Sequence, residues 1–344
     1  MDKILNINRS NNFDFLRLLF ASLVIVSHSY PLTGKPEEIG ILTHGQLDLG
    51  SLSVHCFFIM SGYLIMMSLQ RSKSPQEYIW KRLLRLYPAY IVLLILTMLF
   101  LPVIYTGSNI FSEKSFWSYF PNALSLYKIQ YEVNGIFENN PYPKAINGSL
   151  WSLSYEFTMY LILVFLFSFR KSKSLIFIIV VIFLISFYCT TTQTGLLGRT
   201  MKKIFLQPAE FYRLCTYFIA GSCLVFVNLK KINFSWLKYL LFFSLIVSLY
   251  FGIYKNLSYL LLPILILLIG TSTTQYISNI GKKIGDISYG VYIYGFIVQQ
   301  TLMYYFRLET IPLMLASMVI TYILSYASWH LIEKKMLTYK NLVK

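Results

Sequence analysis

Apolar blocks long enough to cross a bilayer recur along this chain, and that recurrence decides what it can fold into. A membrane-spanning helix needs about 20 mainly apolar residues, within a usable range of roughly 17 to 25. The stretches 13–30, 53–69, 87–104, 150–169, 175–191, 215–228, 237–252, 257–271, 287–305 and 311–332 reach or approach that length. The sixth is the shortest and the seventh and eighth nearly touch, so about ten spans are expected, with eight or nine also compatible. No stretch alternates on the roughly 10-residue scale of an outer-membrane barrel strand. The expected fold class is therefore all-α, a polytopic transmembrane helical bundle. Length alone, 344 residues, would suggest about two soluble domains. Only 13% of the residues are charged, about half the share of a soluble chain, which excludes that reading. An aromatic content of 17% excludes disorder.

Thirty Lys and Arg against fourteen Asp and Glu give a net charge of +16. Such a balance can mean nucleic acid. Here the basic residues sit in short clusters between apolar blocks, as the cytoplasmic anchors of a membrane protein do, so no nucleic-acid partner is expected. Alternate loops hold 19 and 10 of them, with Arg17 inside the first span. That bias puts both termini in the cytoplasm. Four of the ten minority charges lie in one stretch, 199–213. It reads either as an interfacial segment or as a basic mouth for an acidic substrate. One long loop, 105–149, falls on the extracytoplasmic side and is rich in turn formers. The whole chain, 1–344, reads as one integral membrane domain without internal repeats or a soluble appendage.

Cysteine and histidine carry little. Cys56, Cys189, Cys215 and Cys223 lie in apolar stretches and form no C-x-x-C. His28, His44, His55 and His330 show no metal-ligand spacing, so no metal is expected. The apolar run 16–26 is followed by Ser27-His28-Ser29-Tyr30-Pro31, which offers no small-x-small cleavage site and reads as a retained first helix. The sequons at Asn147, Asn233 and Asn256 lie close to bilayer ends and weigh little.

Ionisable residues inside apolar spans are costly, and are functional candidates by default. Arg17 and His28 are eleven residues apart, which at ~100° per residue is three turns plus ~20°. They share a helix face and lie about 16 Å apart along the axis. They could line one path; a snorkelling arginine with an interfacial histidine is the plainer alternative. Glu156 is the one carboxylate within a confident span, and its depth below the outer surface is expected to match that of His28. A carboxylate beside an imidazole fixes the tautomer of a general base; helix packing is the alternative. Arg82 and Arg85, at i,i+3 spacing, share a face on which they can clamp a phosphate or anchor the helix at the membrane. Ser61-Gly62 inside the second span permits close approach of a helix or ligand.

Taken in order, these residues resemble the acyltransferase 3 family of integral membrane acyltransferases. Phe13-Asp14-Phe15-Leu16-Arg17 followed by His28 is similar to its R-x10-H signature, and residues 57–65, Phe-Phe-Ile-Met-Ser-Gly-Tyr-Leu-Ile, to its F-F-x-x-S-G-[YF]-L-I segment. Arg82-Leu83-Leu84-Arg85-Leu86-Tyr87-Pro88 resembles R-x-x-R-x-[YFW]-P, and Trp151-Ser152-Leu153-Ser154-Tyr155-Glu156 resembles W-[ST]-L-x-x-E. Ser288-Tyr289-Gly290-Val291-Tyr292-Ile293 and Glu333-Lys334 resemble the family's late S-Y-x-x-Y-L and E-K-P patterns. Gly295 stands where many members have histidine, and Lys335 replaces the usual proline. The fused esterase-like domain that some members carry is not expected.

The resemblance implies transfer of an acyl group, commonly acetyl, from cytoplasmic acyl-CoA to a hydroxyl of an extracytoplasmic or lipid-linked glycan, in a bacterial inner membrane. Acetyl-CoA would be the donor, with no permanently bound cofactor. His28 and Glu156 would be catalytic, with His28 a general base or an acyl-carrying nucleophile. Arg82 and Arg85 would hold the CoA phosphates, Arg17 would steady the thioester arm, and Trp151, Ser152 and Ser61 would meet substrate. A transporter or flippase for an envelope sugar or anion is the rival from another class, although no paired interrupted helices support it. An accessory subunit of an envelope-synthesis complex is the second rival.

Overall fold

The computed structural model describes residues 11–343. Lys3, Arg9 and Lys344 of the charge count lie outside them. Among the described residues there are helices and turns but no strand. Ten helices have 15 residues or more: α1 (Phe13–Leu32), α2 (Leu49–Arg71), α3 (Pro75–Ile104), α4 (Trp151–Phe165), α5 (Ser174–Thr192), α6 (Pro208–Cys223), α7 (Ser235–Tyr250), α8 (Tyr254–Thr271), α9 (Ser288–Phe306) and α10 (Thr310–Ser328). Six of them, α1, α2, α3, α5, α8 and α10, are long and apolar enough to cross a membrane. The others are short (α4, α6 and α7) or, in α9, too polar, so about ten spans is more than length and composition establish.

Local sequence sets the helix starts. Ser74 caps α3, its Oγ accepting from the Glu77 amide at 3.1 Å, and Pro75 takes the first helical position. The Glu77 carboxylate accepts from the Lys73 amide at 2.6 Å, completing a reciprocal cap. The helix therefore begins twelve residues before the apolar stretch expected at 87–104, and Arg82 and Arg85 lie on the same rod as its membrane portion. Asp48 caps α2 in the same way, accepting from the Ser51 amide at 2.6 Å.

Packing sorts the helices into inner and outer positions. Of its most apolar 18-residue stretch, α2 has 72% of residues buried and α5 only 22%, so α2 is central and α5 peripheral. Large apolar side chains such as Leu99, Phe177, Phe243 and Ile323 point outward, as a lipid-facing rim requires. At the centre, α2 lies against α6 and α1, and α9 against α10 and α1. The α2–α6 contact depends on glycine. A Cβ on Gly62 would sit 1.8 Å from the Phe218 carbonyl oxygen, and one on Gly221 would sit 2.1 Å from that of Ile59. The Gly62 position thus serves a helix contact, as small residues do in membranes.

We call the end where α1 begins the lower face and the end where it finishes the upper face. Ion pairs and hydrogen bonds tie each face across the sequence. Trp80 Nε1 donates to the Tyr339 carbonyl below at 2.9 Å, and Lys35 pairs with Glu309 above at 2.5 Å. The loop 105–149 folds over the upper face with short helices Ile110–Ser112 and Lys114–Leu124. Asn140 Nδ2 anchors it, donating to Gln300 Oε1 of α9 at 2.7 Å.

Candidate active site

A cavity of about 300 Å³ enters the bundle from the lower face, lined by Arg17, Arg82, Arg85, Ser61, Glu156 and Tyr292 among others. Lys81, Leu337 and Lys340 also line it. The three guanidiniums in its wall are not equivalent. Arg85 donates to Asp286 Oδ2 at 2.5 Å, and Arg17 donates to the same oxygen at 3.1 Å and to Asp14 at 3.3 Å. Ser288 donates to the other Asp286 oxygen at 2.6 Å. Burial alone would raise the Asp286 pKa, but the Arg85 and Arg17 charges override it and hold the carboxyl down at about 2. Arg82 makes one hydrogen bond, to Ser68 Oγ at 3.3 Å, and its buried Nε has no partner among the described residues. The expected pair on one helix face is present, yet of the three arginines only Arg82 has no ion pair among the described residues.

Behind Arg85 the end of α10 widens into a π turn, Trp329–Glu333, a feature frequent at functional sites. The turn sets the Trp329 ring 5.7 Å from the Arg85 guanidinium carbon. Glu333 is buried there and accepts from Ser328 Oγ at 3.1 Å.

Midway up the cavity, Glu156 Oε1 accepts from Ser61 Oγ at 2.9 Å and from Tyr160 one turn along α4. At the top, Tyr292 donates to the Ser149 carbonyl at 2.7 Å. Its single proton is then used, so the 2.7 Å contact with Ser152 has the serine hydroxyl donating. The Phe57 ring meets Tyr292 edge-on at 5.7 Å and completes this ceiling. Ser61 and Ser152 line the cavity with their hydroxyls committed. Trp151 is not among its lining residues and opens onto a second pocket at the upper face.

His28 lies beyond the ceiling. Its half-buried ring meets Phe296 edge-on at 5.2 Å, and its buried Nδ1 finds no hydrogen-bond partner among the described residues. The expected pairing of His28 with Glu156 is not formed, because the two stand at different depths. Ser27 lies at the level of Gly50, where a Cβ would be 2.9 Å from Ser27 Oγ, whereas Glu156 bonds Ser61 eleven residues further down α2. Eleven helical residues span about 16 Å. Through α9 and α4 the count is one turn from Phe296 to Tyr292 and one from Ser152 to Glu156, about 12 Å. Gly295 packs towards Ile25 of α1, with a Cβ there only 2.9 Å from Ile25 Cγ1.

Sequence reasoning missed Asp286, Tyr160 and Tyr292 as site residues. Asp286 carried a signal: it is one of four aspartates in the chain and stands beside Lys282-Lys283 at the start of an apolar span. Tyr292 stood in the S-Y-x-x-Y-L pattern without a role assigned to it, and Tyr160, one of 28 tyrosines, carried no signal.

The family model of acyltransferase 3, described as an acyltransferase domain, matches residues 10–330. An O-acetyl transferase of Shigella phage Sf6 is 30% identical over 347 aligned residues, 96% of this chain and 97% of that protein. Nodulation protein 10 of Rhizobium leguminosarum bv. viciae is 29% identical over 163 residues, 44% of this chain and 43% of that protein. No solved structure matches the chain. With the family's arginines, glutamate and histidine ordered along one axis of the bundle, and with its model spanning nearly the whole length, the chain belongs to the acyltransferase 3 family.

Proposed function

We propose that this acyltransferase moves an acyl group, acetyl in the first instance, from acyl-CoA at the cytoplasmic face to a hydroxyl of an extracytoplasmic or lipid-linked glycan, in a bacterial inner membrane. The observation that carries the reading is the lower cavity, which opens among cations, holds an arginine outside the Asp286 ion pairs, and stops one residue layer short of a histidine whose Nδ1 has no hydrogen-bond partner among the described residues. In this reading Arg82 meets the CoA phosphates, and the pantetheine arm rises past Glu156 to the Tyr292 ceiling. Arg17 and Arg85, already joined to Asp286, fix the mouth of the cavity instead of binding phosphate directly.

His28 acts as general base. With Nδ1 sealed, Nε2 is the nitrogen left to face a substrate. It takes the acceptor hydroxyl proton as the new oxygen–carbon bond forms and the carbon–sulfur bond breaks, and the proton then passes to the departing thiolate. The Tyr292–Ser152–Ser149 layer must yield for thioester and histidine to meet. The full length shared with an O-acetyl transferase supports acetyl as the group transferred.

The test is incubation of purified, reconstituted protein with radiolabelled acetyl-CoA and glycan-bearing membranes of the host cell. Label transferred to glycan by the parent chain and lost in His28→Ala supports the reading. Entry of label into sealed vesicles without transfer would make the chain a transporter.

A further inference from the structure

The upper face carries a second cavity, of about 490 Å³, that the lower cavity does not include. It lies between the loop after α3, the first turn of α4 and the start of α6. Tyr131, Trp151 and Tyr155 supply aromatic walls, with the Trp151 and Tyr155 rings edge-to-face at 5.6 Å. Glu210 and Arg213, one turn apart on α6, form an ion pair on the facing wall. The buried Arg213 Nε has no partner among the described residues. Tyr155 is held in place, its hydroxyl accepting from the Gln207 amide at 3.0 Å.

This combination fits a pyranose ring. A sugar offers an apolar C–H face, which aromatic rings cover, and a rim of hydroxyls that both donate and accept. A carboxylate that accepts beside a guanidinium that donates in a plane serves two neighbouring hydroxyls at once. A mainly aromatic pocket with a few placed polar groups is the usual form of a small-ligand site.

The pocket is also placed to serve His28. Trp151 follows the turn Gly148–Leu150, and Gly148 packs so closely on Phe296 that a Cβ would lie 2.7 Å from its ring. Phe296 in turn touches His28 at 5.2 Å. Pocket and histidine flank the same turn at the top of α4, while Ser152 and Glu156 of that helix face the lower cavity. We propose that the upper pocket is a sugar subsite that holds a pyranose residue of the acceptor glycan next to the one acylated at His28. The proposal rests on the acyl-transfer reading for the role of the sugar, but not for its binding.

The experiment uses the full chain in lipid nanodiscs free of sugar detergent. Saturation-transfer NMR is recorded with methyl glycosides of glucose, galactose, mannose and N-acetylglucosamine. At least one glycoside should receive saturation from the protein. The signal should fall fivefold or more in Tyr131→Ala and Arg213→Ala, recover in Arg213→Lys, and persist in Arg82→Ala and at saturating acetyl-CoA. Tyr131 lies in a loop and is 38% exposed, so its removal spares the bundle. No signal from any of the four, equal signal in the Tyr131 and Arg213 variants, or displacement by acetyl-CoA would overturn the subsite. A parent chain that binds glycoside but never transfers label from acetyl-CoA would instead overturn the proposed reaction and leave the subsite standing.

Discussion

Arg82 and Arg85 stand one turn apart on one helix face, yet their partners assign them different work. Arg85 is bonded to Asp286, so Arg85→Ala leaves a largely buried carboxylate with Arg17 as its one bonded cation among the described residues and the Ser288 hydroxyl as its other donor. Breaking a fully buried pair costs about 3–5 kcal/mol; here side-chain exposures of 28% and 14% reduce that to about 2 kcal/mol. Arg82→Ala breaks no ion pair and only a long 3.3 Å bond to Ser68, so its main loss is contact with a bound ligand, at about 1.5–3 kcal/mol for a charged hydrogen bond. The expected result is a tenfold or greater rise in KM for acyl-CoA in Arg82→Ala, with kcat and thermal stability retained. Arg85→Ala should lose thermal stability as well. The reverse pattern would return Arg82 to the role of a membrane anchor. Asp286 also fixes a pH range. Its folded pKa is depressed, so its contribution is complete above the unfolded carboxyl value of about 3.9 and is lost as pH falls through about 2. Asp286→Asn should therefore leave the shape of the rate profile unchanged between pH 5 and 9 while lowering stability throughout, which a melting series across pH measures.

The same reasoning separates the two residues that the sequence suggested as a pair. Sites more than about 7–10 Å apart with no shared partner have additive free energies. His28→Ala should slow turnover by about 10²–10⁴-fold with acyl-CoA binding retained, and Glu156→Gln should add its own loss in full. Non-additivity belongs to Glu156 and Tyr160, which share a hydrogen bond: Glu156→Gln with Tyr160→Phe should deviate by about 0.5–3 kcal/mol from the sum of the singles. A double-mutant cycle on kcat/KM decides between the pairs.

At the scale of helices, the contact between α2 and α6 fixes the cavity's back wall. Gly62→Ala requires a Cβ at 1.8 Å from a backbone oxygen, a clash that no rotamer relieves. Folded protein recovered from membranes should fall sharply, whereas Gly40→Ala, with nothing within 4 Å of its Cβ, should be recovered like the parent. Ser61-Gly62 suggested close approach in the sequence, but not which partner approached, because Phe218 lies 156 residues away and local pattern carries no pairing. Apolar runs placed α4 and α9 closely, at 150–169 and 287–305, but found only the second half of α6, at 215–228, because Glu210 and Arg213 break the apolar pattern where that helix begins. The membership of the cavity was legible at Arg17, Arg82, Arg85 and Glu156, where a charge interrupts or borders an apolar run. Depth was not, since counting from span ends placed His28 and Glu156 together while caps and turns at 148–150 separate them.

For the whole molecule, sidedness is the property on which the proposed reaction depends, because donor and acceptor must approach from opposite faces. The 19-to-10 bias in basic residues predicts the lower face to be cytoplasmic. Its weak point, the stretch 199–213, divides in the structure. Arg213 turns into the upper pocket and is paired with Glu210, so it is no free loop charge. Arg199, Lys202 and Lys203 lie exposed on the short helix Gly198–Lys203, flanked by Leu197 and Phe205, which are 64% and 61% exposed. Exposed apolar residues interleaved with cations fit a segment lying in the membrane interface, where lysine and arginine snorkel. Three single-cysteine variants then test sidedness, made after replacing Cys56, Cys189, Cys215 and Cys223. Cysteines at Asn139 and Lys202 should react with an impermeant thiol reagent added to intact cells, and one at Lys230 should react only after the membrane is opened. Reaction of Lys230→Cys in intact cells, with Asn139→Cys protected, would invert the molecule and put the Arg82 cavity on the wrong side for cytoplasmic acyl-CoA. Reaction of Asn139→Cys but not Lys202→Cys would keep the orientation and remove α5 as a complete span, since the two ends of the α4–α5 hairpin would no longer emerge on the same outer face.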